Sequence, residues 1–105
     1  MTSNDSIIYV GNKPPMSYVL AVVTQFQNGT KEVVVMARGR LISRAVDVVE
    51  IVRNKIMKND QIQVGNIEIK TEVLTGERGE VNVSVITIPL KKGVSEWLKK
   101  IHALN

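Results

Sequence analysis

Apolar residues change their spacing at a few sharp points along this chain, and those points divide it into elements. Ile7 to Val10 is a short β-prone run closed by Gly11. Pro14 and Pro15 follow, and their missing amide hydrogens suit the first turn of a helix. Met16, Val19, Leu20, Val23 and Phe26 then recur at helical spacing until Asn28-Gly29, a helix stop signal. Val33 to Ala37 is a continuous apolar run, the pattern of a strand buried on both faces. After Arg38-Gly39-Arg40 a second, longer helix is predicted, with Leu41, Ala45, Val48, Val49, Val52 and Ile56 along one side. Ser43, Asp47, Glu50 and Asn54 lie opposite, and the helix ends near Met57, before the turn at Asn59-Asp60.

From Gln61 to Leu90 the apolar residues alternate, as two long strands joined around Gly76-Glu77-Arg78-Gly79. Their parity slips at Gly65-Asn66 and at Val85-Ile86, which predicts a bulge at each. The element order is βαβαββ. The strand-helix-strand unit argues for parallel pairing and the hairpin adds an antiparallel partner. The expected fold is an α+β two-layer sandwich: a mixed four-stranded sheet, two helices on one face, and a long hairpin of the third and fourth strands reaching beyond the sheet. Two helices cannot cover such a surface, so a dimer is expected. Val94, Trp97, Leu98 and Ile101 are spaced as one face of a short C-terminal helix. The division is a single domain over residues 1–92 and an extension over 93–105.

Length and composition narrow the functional classes. A chain of 105 residues, 44% hydrophobic and 23% charged, holds one globular domain. It has no cysteine and a single histidine, His102, so thiolate chemistry and any site needing two imidazoles are excluded. No leader pattern and no apolar run of the ~18 to 20 residues a membrane helix needs is present, which reads as a cytoplasmic protein without membrane contact. The net charge of +4 is unevenly spread. Gly11 to Val46 holds five basic residues and one acid, whereas Asn59 to Leu90 holds two basic residues and five acids. That asymmetry fits either a basic face for a polyanion or an ordinary solvated surface.

The inventory of catalytic chemistry is thin: no HExxH, no phosphate loop with its lysine and no nucleophile elbow. No enzyme activity, cofactor or metal is expected. Asp47 and Glu50 read as a solvated helix face with Arg44 and Arg53 as partners one turn away, and His102 as a surface or partly packed histidine. Arg38-Gly39-Arg40 is the strongest chemical signal. It joins the end of a strand to the start of a helix, where open sheets carry ligands, and its glycine permits close backbone approach. Free amides at the helix start and two guanidinium groups make an anion site, with Arg44 one turn on as a third cation. The same two arginines also fit a plain surface turn. Gly11-Asn12-Lys13-Pro14-Pro15 opens on the same sheet edge if the first two strands are parallel, which sets Lys13 beside Arg38 and Arg40. With 4% aromatic residues and neither Tyr9 nor Tyr18 in a stacking motif, backbone binding is the better reading than base recognition.

Ile8-Tyr9-Val10-Gly11-Asn12-Lys13-Pro14-Pro15-Met16-Ser17-Tyr18-Val19, then Ala37-Arg38-Gly39-Arg40-Leu41-Ile42-Ser43-Arg44-Ala45-Val46-Asp47 and Val49-Glu50-Ile51-Val52-Arg53-Asn54, resemble the Alba family of archaeal chromatin proteins. The resemblance runs from about Ile7 to Leu90. It implies a dimeric domain, with the fold of the translation initiation factor 3 C-terminal domain, that coats double-stranded DNA and also binds RNA. By the family pattern Asn12, Lys13, Arg38, Gly39, Arg40 and Arg44 lie along phosphates, and Arg78 at the hairpin tip follows the minor groove. Asn12 stands where family members typically carry the first of two lysines, an acetylation target, and it offers no amine to acetylate. Ile56 stands at the position where well-known members carry an aromatic that joins one dimer to the next.

Two functions remain open from sequence. One is a DNA-coating, chromosome-associated chromatin protein, acting as a homodimer or as a heterodimer with an Alba paralogue. The other is an RNA-binding subunit of a ribonucleoprotein particle.

Overall fold

The computed structural model describes residues 5–93. Strand β1 (Asp5–Tyr9) is followed by helix α1 (Pro15–Gln27) and by β2 (Glu32–Arg38), which lies parallel to β1. A 3-10 turn (Gly39–Leu41) leads into α2 (Ile42–Ile51), which widens into a π-helical turn (Val52–Ile56). The chain finishes with β3 (Ile62–Val64), β4 (Glu68–Gly76) and β5 (Gly79–Lys92). The sheet order is β1-β2-β5-β3, and β4 also pairs with β5. β5 is antiparallel to all its neighbours. Two helices on a mixed sheet make the expected α+β sandwich, but the sheet has five strands rather than four.

The fifth strand arises because the predicted third strand is split. Val64 pairs with Leu90 but Glu68 pairs with Thr87, so the register shifts by one residue across Gly65-Asn66. The Gly65 N–H donates to the Pro89 carbonyl at 2.8 Å. Proline has no N–H to return to this side of β5, so the ladder breaks there, and the extra residue is taken up as the predicted bulge.

The second predicted bulge, at Val85-Ile86, is absent. Arg38 pairs with Val85 and Ala37 with Ile86 in unbroken register. Val85 therefore faces away from Ile86, Ile88 and Leu90, which pack against the helices. It is still only 1% exposed and lies outside the main core cluster. The break in apolar parity comes from burial on the second face, not from an inserted residue.

The main core lies between the helices and one sheet face, where Val19, Val22, Val35, Ala45, Val48 and Leu90 are fully buried. Each of these valines and the leucine contributes about 1.5–3 kcal/mol of transfer free energy. In β2, Val33, Val35 and Ala37 are buried while Val34 and Met36 are half-buried, so this strand is not enclosed on both faces as its apolar run predicts. Helices cover only one side. In the second helix Ile56 leaves the predicted core stripe. It is 48% exposed and Met57 is 5% exposed, because the π turn adds one residue and the Met57 N–H bonds the Val52 carbonyl at 2.8 Å.

Beyond Arg38 opposite Val85, β2 gives β5 no further partner. The paired residues from Thr71 to Gly76 and from Gly79 to Ser84 then run on as a two-stranded arm. At ~3.4 Å per residue the arm is roughly 20 Å long, and the molecule measures 62 × 27 × 24 Å. Its tip turns through Glu77 and Arg78, with Gly79 at φ 105°, a conformation that glycine tolerates. The helix predicted around Trp97 lies outside the described residues.

Candidate nucleic-acid interface

Parallel pairing of β1 and β2 brings their C-terminal ends, and so the loops that follow them, to one sheet edge. In the first loop the Lys13 N–H donates to the Tyr18 hydroxyl at 3.0 Å. That hydroxyl lies 3.2 Å from where a Cβ on Gly11 would be, so a larger residue there would push the tyrosine back by a few tenths of an ångström. In the second loop Gly39 has φ 58°, which glycine reaches without strain, and its carbonyl accepts from the Ile42 N–H.

Arg44, in the first turn of α2 just after the second loop, ties the first loop to that helix. Its Nη1 donates to the carbonyls of Gly11 and Lys13, each at 3.1 Å. The predicted pairing of Arg44 with Asp47 is not formed, whereas Arg53 does pair with Glu50 at 2.7 Å. With the first loop held in this way, Asn12, Lys13, Gly39 and Arg40 all face solvent. The Arg40 guanidinium and the Lys13 ammonium make no hydrogen bond or ion pair among the described residues. They are cations left for an outside anion.

Arg38 is different. It lies on the face of the sheet away from the helices, and its Nε donates to Glu72 Oε1 at 2.7 Å. Its Nη2 reaches Oε2 at 3.4 Å. Register puts Arg38 opposite Val85 and Glu72 opposite Val83, so the pair crosses over β5 and covers Val85. Lys70 Nζ is 3.8 Å from the second Glu72 oxygen. The hydrogen bond from Arg38 holds the Glu72 carboxyl below its usual range, against a smaller opposing effect of desolvation. The same bond pushes the Arg38 guanidinium further up.

The structure thus brings Asn12, Lys13, Arg38, Gly39, Arg40 and Arg44 together at one edge. Arg78 stands apart, at the arm's tip. Ile56 is exposed at the far end of the second helical segment. Sequence reasoning missed Glu72 and Tyr18. Tyr18 was within reach, since it stands at the predicted start of α1, five residues from Lys13. Glu72 was one acid among several until the strand register was known.

A family model described as Alba matches residues 6–71. The DNA/RNA-binding protein Alba of Methanothrix thermoacetophila is 56% identical over 90 residues, covering 86% of this chain and 99% of that protein. The chain belongs to the Alba family. The solved structure of Alba from Thermoplasma volcanium superposes with a TM-score of 0.78 at 50% identity, covering 83% of this chain and 100% of that one. A more distant Alba, ALBA1 from Trypanosoma brucei, shares the fold at a TM-score of 0.68 and 23% identity, over 93% of this chain and 81% of that one. The curated relatives carry the name DNA/RNA-binding protein Alba. Among the described residues no helix is long and apolar enough to cross a membrane.

Proposed function

We propose that this chain binds nucleic-acid backbones with little sequence preference, coating and compacting double-stranded DNA as a chromosome-associated protein of the cytoplasm and also taking RNA. The observation that carries this reading is the meeting of two basic loops at one sheet edge, the first of them held to α2 by Arg44, beside a projecting arm. The names of the relatives, DNA/RNA-binding protein Alba, point the same way.

Each residue then has a distinct role. Lys13 and Arg40 neutralise phosphates, and Asn12 and the amides that follow Gly39 approach the same oxygens. Arg44 positions the first loop. The arm runs along the duplex and carries Arg78 toward the minor groove, where a narrow, A·T-rich groove favours a guanidinium.

A second copy of the chain completes the binding unit. Val46, Ile67 and Ile69 form an apolar stripe beside α2, with Ile69 80% exposed. Small domains cover such stripes by self-association. Ile56, separately exposed, is then the contact from one dimer to the next.

The test is a salt series of binding isotherms on duplex DNA and on structured RNA, with sedimentation to fix the oligomer. With Lys13, Arg40 and Arg78 as the free cations, a dimer meets about four to six phosphates. At about −0.9 per phosphate the slope of log affinity against log salt is roughly −4 to −5. Arg40→Ala should weaken binding to all duplexes alike and flatten that slope by about 0.9 per subunit. An unchanged slope in Arg40→Ala removes the phosphate-contact reading of this loop, and a folded monomer at micromolar concentration removes the dimer.

A further inference from the structure

Among the arginines at the loop edge, Arg38 alone has a carboxylate on it, and that carboxylate comes from the arm. Glu72 is 2.7 Å from Arg38 Nε, and Lys70 approaches its other oxygen at 3.8 Å. A carboxylate fork and a phosphate bind the same guanidinium edge with the same planar geometry. The Arg38 side chain is half exposed and so is open to an incoming phosphate, but half of its fork is already taken. Lys13 and Arg40, at the same edge, carry no such partner among the described residues.

We propose that Glu72 is an internal competitor for the phosphate backbone, holding Arg38 and Lys70 out of the binding charge and so setting how tightly this edge grips nucleic acid. This rests on the loop-edge reading above and deepens it: the affinity of the edge is tuned from within by one acid on β4. The alternative role of such a contact is orientation, in which the carboxylate holds Arg38 ready for phosphate. Charge decides between them. Glu72 cancels one of the two positive charges it touches, and a phosphate approaching Arg38 has to meet that negative charge at close range. In a solvent-exposed position the loss of attraction exceeds the gain from a fixed rotamer, because the free side chain reorders on phosphate at modest cost.

The replacements Glu72→Gln and Glu72→Ala separate the two roles. Gln keeps a carbonyl acceptor and loses the charge, whereas Ala loses both. Competition predicts that both variants bind duplex DNA more tightly, by about threefold to tenfold per freed cation at ~0.1 M salt. The salt slope should steepen by about 0.9 per freed cation and the gain fade toward 1 M. In an Arg38→Ala background the Glu72→Gln gain should shrink to the share owed to Lys70. If Glu72→Ala binds more weakly while Glu72→Gln matches the parent protein, Glu72 orients Arg38 and competition is overturned. An undiminished gain in the Arg38→Ala background also overturns it, since the effect is then one of overall charge. Arg40→Ala, run in parallel, reports on the loop edge itself: a flattened slope there with no gain from Glu72→Gln sinks the competitor and leaves the edge standing.

Discussion

Replacing Arg44 by alanine tests whether this side chain holds the first loop or binds phosphate. Its Nη1 makes two charge-assisted bonds at 3.1 Å, one to the partly buried Gly11 carbonyl and one to the exposed Lys13 carbonyl. A hydrogen bond from a charged donor contributes about 1.5–3 kcal/mol when shielded and well under 1 kcal/mol in full solvent. Because the first bond is only partly shielded and the second is open to solvent, the loss is about 1–2 kcal/mol. For a domain of this size that is a fall in Tm of roughly 5 to 10 °C, measured at fixed protein concentration so that self-association does not blur the comparison.

The binding consequence is indirect. Without the clamp the loop from Gly11 to Lys13 samples more conformations, and Lys13 meets phosphate only part of the time. Duplex affinity should fall about threefold to tenfold, while the salt slope moves by less than half a unit per subunit, against about 0.9 for loss of a direct contact. The assay pairs urea unfolding with the salt series already described. An Arg44→Ala protein of unchanged stability whose slope flattens by about 0.9 per subunit would falsify the clamp and return Arg44 to the phosphate contacts.

Gly39→Val should destabilise the fold by about 1–2 kcal/mol, because φ 58° is costly for any side chain and most costly for a β-branched one, although the nearest atom, Val83 Cγ1, would be 3.9 Å away. An unfolding midpoint equal to the parent's would show that the turn relaxes without strain. Glu72 should titrate below the ordinary glutamate range in the folded protein, since its lowered pKa reflects a bond to Arg38 made only by the ionised form. Its stabilising effect is therefore present above the unfolded-state pKa and lost as pH falls through the lower, folded value. Carboxyl NMR shifts should show the midpoint rising in Arg38→Ala, and a midpoint that stays put would break the assigned cause.

The local chemistry of this chain was written in order along it. Helical spacing from Met16 to Phe26 with Pro15 ahead and Gly29 behind defines α1, and period-two alternation around Gly76 to Gly79 defines the hairpin, because both depend on neighbours a few residues apart. Arg38-Gly39-Arg40 was legible as an anion site for the same reason: a glycine between two arginines after a β run sets a turn and its charge locally. What depends on registry across strands was not legible. The sequence shows a parity break at Val85 but not that Val85 turns to the second face beneath Arg38 and Glu72. It shows Ile56 on the apolar stripe but not that a π turn gives its place to Met57. Arg44 and Glu72 carry the same lesson. Their partners, the Gly11 and Lys13 carbonyls 33 and 31 residues away and Arg38 34 residues away, come within reach only once the sheet has formed. Spacing along a chain fixes periodicity and local turns, but which charges remain free for a ligand is settled by long-range pairing, and only the folded sheet decides that.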